Sequence, residues 1–436
     1  MSKHNRTPLM ERDGIRSVLA SLLSILIGLA AGAVVITIVG LCNKTIGAKG
    51  AWEGVRLVVL GLFSTGRTAS GVLTFGFNPA SIGNMLFRAM PLILTGLSVA
   101  VAFKTGLFNI GAPGQYLMGT AATLFIALSI SPDNIPVWII WLLAFFGGMA
   151  AGALWGMIPG TLKALLNINE VIACIMTNWI AANLVTWMFD ASNLKNLVES
   201  TKTGYIYSTS YALTNVDGVM TYVKGNGVVT PKMGLDKIFP GSQVNGGILI
   251  AIVLAILVYI MLTKTTLGYE LRACGLNRYA ARYAGIRDRR NIILSMAIAG
   301  ALAGAAGSLY YLSGNTEFYW STYQSLPATG FNGIPVALLA VSNPIAVIFS
   351  GMFMSMLDIA GLQLTNLTAY NEYITDVIIA VIVYLAAFSL VIRMWLSGSG
   401  KRRRRREEKI IPATQETNNS ENIDRSAGDG KEAAEK

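Results

Sequence analysis

The ten residues GLFNIGAPGQ (106–115) contain three glycines, a proline, an Asn and a Gln. They lie between RAMPLILTGLSVAVAF (88–103) and YLMGTAATLFIALSI (116–130), two runs apolar enough for lipid. Gly and Pro interrupt helical hydrogen bonding. Backbone groups freed in hydrocarbon are tolerated only when buried in protein or lining a wet cavity. The stretch is therefore expected to face the interior of a membrane bundle, where Asn109 and Gln115 offer amide donors and acceptors. Further on, TGFNGIPVALL (329–339) again sets Phe-Asn beside Gly, Ile and Pro before an apolar run. Interrupted segments in both halves of a chain point to a transport site between repeats.

The whole chain supports a membrane setting. Of its 436 residues 53% are hydrophobic and only 13% charged, with a mean hydropathy of +0.54. Soluble domains carry about a quarter charged residues. Windows of roughly 20 apolar residues, enough to cross the hydrocarbon core, recur at 18–41, 82–103, 107–130, 137–160, 170–189, 246–262, 292–312, 344–362 and 374–395, with a shorter one at 329–341. The expected fold is an all-α polytopic membrane protein of about ten transmembrane helices, with an inverted repeat, discontinuous helices and an outer loop domain. The first apolar run is too long for the h-region of a signal peptide, about 7–15 residues, and is read as an uncleaved span.

Charge sets the orientation. Lys3, Arg6, Arg12 and Arg16 precede the first span, and Lys401 and Arg402 to Arg406 follow the last. An even number of spans places both ends on one side. The loop 264–290, with Lys264, Arg272, Arg278, Arg282, Arg287, Arg289 and Arg290 against Glu270 and Asp288, falls there too. This side is expected to be the cytoplasm of a multi-pass cell-membrane protein. The net charge of +11 thus reads as a topology signal, and no nucleic-acid partner is expected. The domain reading is a cytoplasmic leader (1–17), a transmembrane domain (18–396), and a basic then disordered cytoplasmic tail (397–436). Residues 191–245 form an extracytoplasmic loop domain. The segment AWEGVRLVVLGLF (51–63) is too short and too charged to span, and is expected to lie along the interface.

Gly148, Gly152, Gly156 and Gly160 recur every four residues, as do Gly300 with Gly304 and Gly28 with Gly32. Residues four apart share a helix face. Such smooth faces let helix backbones approach closely in lipid. In the basic loop, Asn277 is placed to cap a short helix over 278–284, a shape suited to docking a soluble partner.

The enzyme classes find little support. Cys42, Cys174 and Cys274 lack metal or redox spacing, and His4 is the sole histidine. No nucleophile–base constellation is evident, so no catalytic and no metal residues are assigned. No GxxxxGK[ST] motif is present, which leaves ATP hydrolysis, if it drives this protein, to another chain.

Four stretches, GLFNIGAPGQ, NEVIACIMTNWIA (169–181), GYELRACGLNRYAARYAGI (268–286) and TGFNGIPVALLAVSNP (329–344), together resemble the permease subunits of ATP-binding-cassette (ABC) importers of the branched-chain amino acid, ribose and nucleoside type. Over about residues 85–390 the chain looks most like the nucleoside, or simple-sugar, permeases. It departs from the pattern in having Pro113, a long outer loop and a long tail. The resemblance implies an importer working by alternating access, with no cofactor in this chain and ATP and Mg on a partner ATPase subunit. It implies three partners: that cytoplasmic ATPase, a second homologous permease and a lipid-anchored substrate-binding protein. The ATPase-coupling surface carries over to Arg272, Gly275, Asn277, Ala280, Ala281, Arg282 and Gly285. An uncharged polar substrate wants amides and aromatic faces, and Phe108, Asn109, Gln115, Asn178, Trp179, Phe331 and Asn332 supply them. Nucleosides are the expected substrate; ribose or another simple sugar, and a secondary transporter independent of ATP, are the alternatives.

Overall fold

The computed structural model describes residues 13–196, 200–203, 211–216, 219–224, 227–320 and 326–386. The expectation for the tail 397–436 falls outside them, as does most of the leader. The chain is built from fourteen described α-helices and two small hairpins. Helices α1 (Asp13–Cys42) and α2 (Gly47–Leu60) come first, then strands β1 (Ser64–Arg67) and β2 (Leu73–Phe75). Next come α3 (Pro79–Lys104), α4 (Ala112–Ser129), α5 (Val137–Leu166) and α6 (Glu170–Asp190). After strands β3 (Tyr211–Val216) and β4 (Val219–Lys224) follow α7 (Leu235–Ile238), α8 (Gly247–Lys264), α9 (Thr266–Leu276) and α10 (Arg278–Tyr283). Helices α11 (Asp288–Tyr311), α12 (Ala328–Leu339), α13 (Pro344–Leu367) and α14 (Glu372–Ala386) complete the bundle.

A helix stands at each of the ten places where a span is expected. Among the described residues seven are long and apolar enough to cross a membrane: α1 from Ile25 onward, α3, α5, α6, α8, α11 and α13. The other three fall short for separate reasons. Helix α4 has 18 residues but is diluted at its start by Pro113, Gly114 and Gln115. Helix α12 has only 12 residues, and α14 is described for 15.

Helix α3 lies at the centre, with almost every residue from Ala89 to Ala102 buried. Around it the glycine faces meet as their spacing predicts. A side chain on Gly152 would meet the Gly300 carbonyl and, at 2.9 Å, the Gly304 Cα. One on Gly156 would meet the Met296 carbonyl, and one on Gly304 the Gly148 carbonyl. So α5 and α11 pack backbone to backbone. Where the glycines end, Thr123 Oγ1 and Ser308 Oγ close the seam with a 2.7 Å hydrogen bond. Gly32 of α1 receives the Ile382 side chain of α14.

The segment 51–63 does not lie flat on an interface. It forms most of α2, which folds back antiparallel along α1: Ala51 sits against Gly40, and Gly54 against Ile36 and Leu364. Farther along, Gly61 rests on the Ala360 backbone of α13. Three glycine notches thus hold α2 between α1 and α13, and Tyr370 donates to the Ile36 carbonyl at 2.7 Å. Arg67 ties the following hairpin to the end of α13, donating to Glu53 and to the Leu367 carbonyl, both at 2.6 Å. The segment is therefore a third layer on the bundle, and packing outweighs its amphipathic pattern.

The long loop after α6 carries the β3–β4 hairpin, paired in antiparallel register from Tyr211↔Lys224 to Val216↔Val219. Its described remainder folds down onto the bundle. Thr230 N donates to the Leu312 carbonyl at 2.7 Å, Gln243 N to Asn84 Oδ1 at 2.8 Å, and Lys202 pairs with Glu317 at 2.6 Å.

The glycine seam makes a sharp prediction. Gly152→Leu forces side-chain atoms into the α11 backbone and is expected to cost about 1–3 kcal/mol or more, read as a lowered melting temperature in detergent. Gly76→Ala, whose new Cβ finds only Thr65 at 3.6 Å, is expected to melt as the unaltered protein does.

Candidate functional site

The break at 106–115 shows where the freed backbone groups go. Helix α3 ends at Lys104, and Gly106 turns the chain with φ +74°. The chain then climbs back along α3 until Asn109 reaches Ser98, donating to its Oγ at 3.0 Å. Asn109 and Gln115 face each other as a reciprocal amide pair: Asn109 Nδ2 donates to Gln115 Oε1 at 2.8 Å, and Gln115 Nε2 to Asn109 Oδ1 at 3.0 Å. Asn109 Oδ1 also accepts from Gly111 N at 3.1 Å. Both side chains are essentially sealed from solvent. From α6, Asn178 completes the set. Its Oδ1 accepts from Gly114 N at 2.9 Å and its Nδ2 donates to the Ile110 carbonyl at 3.0 Å. The break is thus stitched by side-chain amides standing in for the missing helical bonds.

The same ten residues touch three other elements. Gly106 lies backbone to backbone with Gly275 of α9: a Cβ on Gly106 would stand 2.6 Å from the Gly275 Cα. Gly114 sits against Asn178 of α6, and Pro113 packs on Gly330 of α12, where a Cβ on Gly330 would be 2.5 Å from the Pro113 Cα. Thr105, just before the break, hydrogen-bonds Ser295 of α11. The second interrupted stretch therefore meets the first directly, through Pro113.

The structure separates the expected substrate residues into two groups. Asn109, Gln115 and Asn178 are buried and turned on one another or on backbone. Phe108 is half-buried and stacked on Phe103, with ring centroids 5.2 Å apart. Trp179, in contrast, is 45% exposed on α6, beside Met176 and Asn183 in a shallow hollow. Phe331 and Asn332 are half-buried on α12. Asn332 lines a groove of about 470 Å³ between α12, α13 and α14, together with Asp358 and Asp376.

The basic loop folds into α9 and α10. Thr265 Oγ1 caps α9 by accepting from Gly268 N at 3.1 Å. Asn277 caps α10, accepting from Ala280 N at 3.0 Å, so the expected short helix forms. Ala281 is its buried anchor, while Ala280 and Gly285 are exposed and Arg272 is half-buried, donating to the Gly268 carbonyl at 3.3 Å. Asp288 fixes the loop, receiving Arg278 Nε at 2.6 Å and Arg282 Nη2 at 2.8 Å. That bond pushes the Arg282 guanidinium pKa above its ordinary value. Arg278 also reaches the Ala164 carbonyl at the end of α5, at 3.4 Å. Burial pushes the Cys274 thiol up.

Sequence reading missed the most exposed groups of this loop. Leu276, Tyr279 and Tyr283 are 89%, 75% and 94% exposed. Large apolar and aromatic groups exposed together on a polar loop form a surface suited to a protein contact. The two tyrosines, spaced four residues apart in a short capped helix, were the available signal.

Comparison with known proteins places these features in context. Residues 81–387 match the family described as branched-chain amino acid transport system / permease component. Over 376 residues the chain is 32% identical to the guanosine ABC transporter permease protein NupP of Bacillus subtilis, covering 86% of this chain and 94% of NupP. It is 36% identical over 340 residues to the nucleoside ABC transporter permease protein NupB of Lactococcus lactis, covering 74% and 88%. With the glucose ABC transporter permease protein TsgB13 of Haloferax volcanii it shares 30% identity over 322 residues, covering 73% and 78%. No solved structure matches the chain.

The stitched break can be tested by stability alone. Asn178→Leu leaves the Gly114 N–H and the Ile110 carbonyl without partners, at about 1–3 kcal/mol for each buried group. A marked drop in detergent melting temperature is expected. Asn178→Asp keeps the acceptor and should fall between that variant and the unaltered protein. Equal melting of all three would show that the amide does not hold the break.

Proposed function

The chain belongs to the family of branched-chain amino acid transport system permease components, and on that premise we propose that it is the membrane subunit of an ABC importer for nucleosides. The observation that carries the substrate is the likeness to NupP and NupB, nucleoside permeases by name, over most of both chains. Simple sugars are the second reading, favoured by the likeness to a glucose permease.

In this reading the face carrying α9 and α10 is cytoplasmic, as its Lys and Arg content requires, and both chain ends lie on that side. A separate ATPase subunit, holding ATP and Mg, docks on Leu276, Tyr279 and Tyr283. Asp288, by clamping Arg278 and Arg282, keeps α10 at a fixed angle, so movement of the docked subunit moves the loop as a unit. Gly275 passes that movement to Gly106, and the stitched break carries it to α6 through Asn178 and to α12 through Gly330. Those helices bear Trp179, Phe331 and Asn332, the aromatic and amide groups left free to meet a substrate. Alternating access then follows from rocking this block against the rest of the bundle. Asn109, Gln115 and Asn178 act as positioning residues, and Phe108 packs behind them.

A second, related permease covers the α6–α12 face in the assembled importer, and a lipid-anchored binding protein delivers substrate to the face carrying the long loop.

Uptake of a labelled nucleoside in cells with and without this gene tests the assignment. Uptake that depends on the gene, and that unlabelled nucleoside blocks but ribose does not, is expected; block by sugar alone would move the assignment to the second reading. Tyr279→Glu with Tyr283→Glu is expected to reduce uptake at least about tenfold, the scale of losing an interface hot spot, with membrane expression unchanged. Full uptake by that variant would remove the docking role.

A further inference from the structure

The groove between α12, α13 and α14 carries charge where a lipid-facing surface would carry none. Asp358 sits inside the apolar span α13, and Arg88 and Asp376 are the charged groups facing it. Neither Asp358 nor Asp376 forms an ion pair or hydrogen bond with a described residue, and the Asn332 amide is likewise unpaired among the described residues. Ionisable groups within membrane spans are expensive and by default functional. Here they are gathered in one groove with an unpaired amide.

The groove also mixes two kinds of lining. Asn332, Asp358 and Asp376 share it with Ile334, Leu338 and Tyr384. Its volume, about 470 Å³, lies in the usual range of small-molecule sites, roughly 300–1,000 Å³. A cleft that combines hydrogen-bond acceptors with an apolar, aromatic wall matches a molecule with a hydroxylated end and a flat ring.

Building on the transport reading above, we propose that this groove binds the ribose end of a ribonucleoside, with Asp358 accepting hydrogen bonds from the vicinal 2′ and 3′ hydroxyls. An ionised carboxylate is acceptor-only, so it suits a ligand that presents two adjacent O–H donors. Hydrogen bonds to an ionised acceptor are about twice as strong as neutral ones. A carboxylate is also the group that reads the ribose hydroxyl in dinucleotide folds. Asn332, able to donate and accept, serves the ring oxygen or the base edge, and Tyr384 lies toward the base. Asp358 becomes the residue that separates ribonucleosides from their deoxygenated analogues. Free ribose offers the same diol and is the alternative source of this chemistry.

The test uses cells expressing the complete transporter and three probes: a labelled ribonucleoside, its labelled 2′,3′-dideoxy analogue and unlabelled ribose. Gene-dependent uptake of neither nucleoside, with no gene-dependent effect of ribose, would refute the transport reading itself. Given uptake, the unaltered protein is expected to prefer the ribonucleoside. Asp358→Asn is expected to raise the ribonucleoside half-saturation about tenfold, the scale of losing a charge-assisted hydrogen bond, while dideoxy uptake stays unchanged. That unchanged uptake also shows the variant to be folded and assembled. Competition by ribose that is lost in Asp358→Asn would support the diol contact with the free sugar as ligand. Equal change in both nucleosides, loss of both, or no change in either would overturn the proposal.

Discussion

Hydrocarbon offers backbone amides nothing to bond with, and the rest of this structure follows from how the chain meets that constraint at residues 106–115. Three glycines and a proline free several N–H and C=O groups deep in the bundle. Each unmet group would cost about 1–3 kcal/mol. Asn109 and Asn178 meet three of them, with Gln115 holding the Asn109 amide in place, and in doing so fix the geometry around them. The chain doubles back before α4 begins, because Asn109 is held at Ser98 inside α3. Helix α6 is bound to α4 at Gly114. Helix α12 reaches the same point because Gly330 leaves room for Pro113.

Much of this was readable from composition and spacing. The glycines at four-residue intervals announced the α5–α11 seam, since nothing but close backbone approach requires so many small residues on one face. Asn277 announced the cap of α10, because capping is a contact between near neighbours. The amides at 109, 115 and 178 were recognisable as interior polar groups. Whether they face a ligand or the backbone was not recognisable, because the partner of Asn178 lies in another helix. For the same reason Asp358 and Asp376 appear in the sequence as isolated charges in different spans. Only the packing of α13 on α14 and α12 turns them toward one groove. Segment 51–63 was misplaced because its amphipathic pattern describes a half-buried helix without saying what buries it. Here α1 and α13 do, through Gly40, Gly54 and Gly61.

The break also joins two places that a transporter must connect. The loop bearing Leu276, Tyr279 and Tyr283 is linked to α6 and α12 through the break. Between them stand Gly275, Gly106 and the stitched segment, in unbroken backbone contact. Small residues at the first junction are a physical requirement, because any side chain there would strike main-chain atoms that cannot rotate away. Rigid elements in direct contact are the kind of element that can carry a displacement between sites. A stitched loop is stiffer than a free one, so in the proposed mechanism the amide network is also what carries the movement.

The most direct measurement of that claim is the ratio of ATP hydrolysed to nucleoside taken up, in membranes containing the complete transporter with Gly275→Val. The account predicts that the ATPase subunit still docks and hydrolyses ATP, because the exposed face of α10 is untouched. Uptake per ATP should fall steeply, because α9 no longer seats on Gly106. Unchanged uptake per ATP would contradict the account, and would show that movement reaches the α6–α12 face by another route.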